Sequence, residues 1–69
     1  MVSHEERRLG RLAQIKRTIE EIKEDQTFTE SMRENLIREC MNDWGSSRRT
    51  TLEYMEVVEE ALKEVQNEM

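Results

Sequence analysis

The stretch NDWGSSRRTTLEY, residues 42–54, decides the fold. Asn42, Asp43 and Gly45 are helix-stopping types, and Gly45 can take a positive φ at little cost. Ser47 is a strong N-cap type, because its hydroxyl can accept from a backbone N–H left free in the first helical turn. Beyond it Thr51, Tyr54, Met55, Val58, Ala61, Leu62, Val65 and Met69 return to one side of a helix. The stretch therefore predicts a helix ending at Asp43 with Trp44 closing it, a turn at 44–46, and a long helix over 47–67.

Upstream, Met32, Leu36, Ile37, Cys40 and Met41 form the apolar stripe of a helix over 30–43. Thr29 is its expected cap, and Phe28 just before can pack back as a plug. The residues EDQTFT, 24–29, break the period of an earlier segment. That segment carries Leu9, Leu12, Ile15, Ile19 and Ile22 at spacings of three and four, with Ser3 as cap and Glu5 and Glu6 in the first turn, where the helix dipole favours acids. It reads as a helix over 4–24. The fold class is all-α: one domain over 1–69, three helices, no strand, with a helix-turn-helix and a long C-terminal helix. The expected core is Leu12, Ile15, Ile19, Leu36, Ile37, Cys40, Trp44, Tyr54, Met55, Val58 and Leu62.

With 69 residues the chain holds one domain at most. A core of that size rarely contributes more than roughly 3–5 kcal/mol of net stability. There is no apolar run near the ~20 residues a bilayer span needs, nor a signal-peptide stretch in MVSHEERRLG, so the expected compartment is the cytoplasm. One Cys and one His, without paired spacing, exclude a zinc site of the usual kind. Cys40 reads as a small buried hydrophobe, and His4 as a residue without a specific task. No catalytic set, phosphate loop or cofactor motif is evident, and no small-molecule substrate, so an enzyme is not expected.

The net charge of −5 argues against a general polyanion binder, but the charge is polarised. Arg7, Arg8, Arg11, Lys16 and Arg17 follow one another with no acid between them, whereas Glu53 to Glu68 carries six acids against Lys63.

Residues 36–55, LIRECMNDWGSSRRTTLEYM, resemble a helix-turn-helix of the DNA-binding superfamily, in its small archaeal-type form without a wing. Gly45 matches the turn glycine and Ser47 the cap of the second helix. Arg48, Arg49 and Thr50 match the exposed opening turn, and Thr51 and Tyr54 the positions that pack inward. The residue after the turn glycine is usually aliphatic in that pattern. Here it is Ser46, so Trp44 is left to fill the space from the other side of the glycine. The resemblance implies duplex DNA as partner and a transcriptional regulator or accessory factor as role. The candidate DNA-binding residues are Ser47, Arg48, Arg49, Thr50 and Glu53. Arg reads guanine edges through paired bonds worth about 1–3 kcal/mol of discrimination, and Ser and Thr at a helix start can donate to phosphate.

Two other readings stand beside this one. Arg48 and Arg49 can simply pair with Glu53 and Glu56 along the helix, for a few tenths of a kcal/mol. The whole chain can also be a helical protein-interaction module without nucleic acid. Leu52 and Val57 lie roughly 100–120° from the centre of the third helix's stripe. With Val65 and Met69 they predict a homodimer through the third helix, which would place two Arg48–Arg49 turns on half-sites ~34 Å apart.

Overall fold

The computed structural model describes residues 3–67, with side chains described through Glu64. Its three helices are α1 (His4–Asp25), α2 (Glu30–Trp44) and α3 (Arg48–Asn67), with no strand among the described residues. The fold is all-α, as the periodicity predicts.

Each start is capped by the residue type expected there. Ser3 Oγ accepts from Glu6 N at 3.1 Å, Thr29 Oγ1 from Met32 N at 3.3 Å, and Ser47 Oγ from Thr50 N at 3.2 Å. Each cap satisfies a backbone donor that the helix itself cannot pair. α1 stops where Gln26 returns its N–H to Ile22 O at 3.0 Å in extended conformation. α2 runs one residue further than the stripe suggests, through Trp44, and stops at Gly45 with φ 63° and ψ 31°. Gly45 and Ser46 both donate backward to the carbonyl of Met41, the latter at 3.3 Å. That closure needs the left-handed backbone that glycine supplies without a Cβ penalty.

The core is Ile15 and Ile19 from α1, Leu36, Ile37 and Cys40 from α2, and Met55 and Val58 from α3. Fully burying one such aliphatic side chain stabilises by about 1.5–3 kcal/mol. Leu12, Phe28, Met41, Trp44, Leu52, Tyr54 and Leu62 pack around it as half-buried neighbours. Phe28 thus does plug the α1–α2 connection. α3 is the shared wall, packing along both α1 and α2. A two-pronged pair joins α2 to the middle of α3: Arg33 Nε and Nη2 donate to Glu59 Oε2 and Oε1 at 2.8 and 3.0 Å.

Several expectations change. Leu12, Trp44, Tyr54 and Leu62 were expected in the core and lie at its half-buried margin. Leu9, expected on the α1 stripe, is 60% exposed. Ala61 is exposed as well. Leu52, expected to need a second chain, packs against this chain's own core, whereas Val57 is 44% exposed. The reason is that α3 is covered by two helices, so its buried arc is wider than one stripe. The side chains of Val65 and Met69 lie outside the described residues. Thr51 is fully buried.

Candidate nucleic-acid interface

The site is the joint between α2 and α3, built on hydroxyls. Thr51 Oγ1 donates to the carbonyl of Ser47 at 3.0 Å and lies 3.0 Å from Ser46 Oγ. A hydroxyl has one hydrogen to give, so Ser46 is the donor in the second bond. The Ser46–Thr51 bond therefore occupies the space an aliphatic plug would fill. Ser47 donates in turn to Thr50 Oγ1 at 3.1 Å while capping α3 through Thr50 N. Its hydroxyl hydrogen is thus engaged within the turn. Thr50, as acceptor from Ser47, keeps its own hydrogen to give outward.

The two arginines differ. Arg49 is the exposed one, 92% accessible, with only a loose pair to Glu53 at 3.9 Å one turn on. Arg48 reaches back across the turn to α2, where its Nη2 lies 2.8 and 2.9 Å from the two carboxylate oxygens of Glu34. The hydrogen bond from Arg48 holds the Glu34 carboxyl below its usual range, and the same bond raises the Arg48 guanidinium above its own. The expectation that both arginines pair along α3 with Glu53 and Glu56 thus holds for Arg49 and Glu53 alone.

α1 supplies the rest. Its guanidinium of Arg11 stands 5.0 Å from the Trp44 ring centre and 5.6 Å from that of Tyr54. The two rings meet edge to face at 5.5 Å, an arrangement favoured by their quadrupoles. Trp44 is thus a half-buried platform under an arginine rather than enclosed core. Arg8, one turn earlier, lines a cleft with Thr50, Glu53, Tyr54 and Val57. Four of the five candidate residues, Ser47, Arg49, Thr50 and Glu53, thus surround the exposed start of α3, and Arg48 is drawn aside by Glu34.

Sequence reading offered the basic run Arg7–Arg17 as charge alongside the start of α3, without singling out Arg8 or Arg11, and it missed Glu34. Nothing local signals Glu34, which lies fourteen residues before its partner. Cys40 is buried in the core, and burial pushes its thiol up to about 11, as suits a packing residue. Among the described residues no group of three or more metal-ligating side chains gathers, and no helix is long and apolar enough to cross a membrane. No family model, curated protein or solved structure matches the chain.

Proposed function

We propose that the protein is a small helix-turn-helix module that binds duplex DNA through the first turn of α3, as a transcriptional regulator or accessory factor. The observation that carries this reading is the cleft that Thr50 and Glu53 share with Arg8 of α1 at the start of α3, with exposed Arg49 paired loosely to Glu53. A helix entering the major groove reads bases with its first turns, and α1 adds a phosphate-binding charge beside it. Glu53, close to the same cleft, has the chemistry to accept from a cytosine amino group. With a net charge of −5, contact is confined to this end of the molecule, and affinity depends steeply on salt. Titration of mixed-sequence duplex at low salt tests the reading. The parent should bind, and Arg49→Ala should weaken binding and lower the slope of log K against log salt by about 1. A parent that does not bind duplex refutes it.

A second reading rests on the α3 surface that continues from this cleft, Glu53 and Val57 belonging to both. Val57, 44% exposed, sits with Ala61 among Glu53, Glu56, Glu60 and Glu64 on α3. An apolar ridge edged by acids suits a protein surface, either a second copy of this chain or a basic helical partner. The homodimer through α3 belongs here, and Val57 now carries it in place of Leu52. Sedimentation of the parent and of Val57→Glu checks it: a dimer mass lost in the variant supports it, and a monomer mass in the parent sinks it.

A further inference from the structure

We propose that Glu34 is an intramolecular latch on Arg48, competing for the guanidinium nitrogen that both forms of two-pronged contact with a guanine edge or a phosphate share. The inference rests on the DNA-binding reading above and adds to it the device that sets its strength.

The argument is geometric. A guanidinium is planar and carries its N–H donors in a rigid fork. One fork pairs Nε–H with a hydrogen of Nη2; the other pairs hydrogens of Nη1 and Nη2. Nη2 belongs to both. Arg33 shows the first fork in use, with Nε and Nη2 on the two oxygens of Glu59. At Arg48 both carboxylate oxygens of Glu34 instead converge on Nη2, at 2.8 and 2.9 Å. Nε and Nη1 remain, but they cannot form a fork without it. Each fork uses its own hydrogen of Nη2, so the closed pair removes at least one of the two forks and sets any incoming acceptor in competition with Glu34.

The latch is built to open. The Arg48 and Glu34 side chains are 47% and 36% exposed, and an exposed pair is weakly held. Glu34 also lies in the field of Arg38 and Arg33, so its charge stays compensated when Arg48 leaves. An incoming guanine edge or phosphate replaces the carboxylate with acceptors of the same kind. Arg49, loosely paired and exposed, makes contact without such a cost. Arg48 joins where the duplex offers acceptors that displace the carboxylate, so the latch suppresses stray contacts more than matched ones.

A four-protein cycle tests the idea: parent, Glu34→Gln, Arg48→Ala and the double variant, each titrated with mixed-sequence duplex at one low salt concentration. Both substitutions lie on the exposed rim, and circular dichroism melts confirm that each protein folds. Glu34→Gln should bind about two- to fivefold tighter than the parent, the scale on which an exposed pair holds its partner. In the Arg48→Ala background the same change should have little effect. Equal tightening in both backgrounds would mean simple removal of a repelling charge and overturns the latch. A parent that binds and a Glu34→Gln variant no tighter also overturns it, leaving the DNA-binding reading intact. If no member of the cycle binds duplex, the reading itself falls and the latch falls with it. Binding by Glu34→Gln alone supports both.

Discussion

Replacing the Ser46–Thr51 hydroxyl bond with an apolar contact measures how this turn is held. Thr51 is fully buried, donates to Ser47 O and accepts from Ser46. Thr51→Val keeps the shape and removes both bonds. Each is worth about 1 kcal/mol net, and the new methyl recovers about 0.8 kcal/mol, so the net cost is about 1 kcal/mol. Ser47 O retains the Thr51 backbone N–H at 3.0 Å, which keeps the loss from being larger. Ser46→Val alone gains apolar burial but leaves the Thr51 hydroxyl without its donor, for little net change. In the double variant both polar groups are gone and the two valines meet, so it should regain parental stability to within roughly 0.5 kcal/mol. The coupling between the sites is then about 1 kcal/mol, well above the ~0.3–0.5 kcal/mol scatter of independent sites. For a domain of this size 1 kcal/mol moves the melting temperature by roughly 4–8 °C, so thermal and urea melts followed by far-ultraviolet circular dichroism resolve it. Strict additivity of the single effects, or a Thr51→Val protein as stable as the parent, would refute the assignment of the hydroxyl bond as the plug of this turn.

Gly45→Ala should destabilise by about 1–2 kcal/mol, since φ 63° is strained for any Cβ, and a urea melt checks it. Trp44→Ala removes the half-buried ring that meets Tyr54 and Arg11; a cost of about 2–3 kcal/mol, below the 3–5 kcal/mol of a fully enclosed ring, should show as a melt shifted but still cooperative. Cys40 has its folded pKa raised from 9.0 to about 11, so the unfolded chain loses this proton first and stability should fall as pH climbs between those values. Cys40→Ser should remove that part of the alkaline slope, as melts over the same pH range would show.

The three helices were legible because caps and period agree locally: Ser3, Thr29 and Ser47 each cap where their side chains suggest, and Gly45 stops α2. What long-range packing decides was not legible. Arg48 bypasses Glu53 and Glu56 for Glu34, because the turn folds α2 back within reach of its guanidinium. Leu52 looked surplus by helical period, yet a helix covered on two sides buries a wider arc. Arg8 and Arg11 stood out as a basic run, but only the seating of α1 along α3 brings them to Thr50 and Trp44. Thr51 was read as an inward position, while its hydroxyl bonds depend on Ser46, a residue the familiar pattern makes aliphatic.

The place of α3 as the wall between α1 and α2 has a consequence for the order of events during synthesis. The ribosome delivers α1 and α2 first, and at about 5–20 residues per second the twenty residues of α3 take roughly one to four seconds more. Helices themselves form in about a microsecond or less. For that interval Ile15, Ile19, Leu36 and Ile37 belong to helices whose covering surface does not yet exist. The nascent chain is therefore a sticky intermediate, and resistance to proteolysis should arrive in a single step, when α3 clears the exit tunnel and closes over both partners at once.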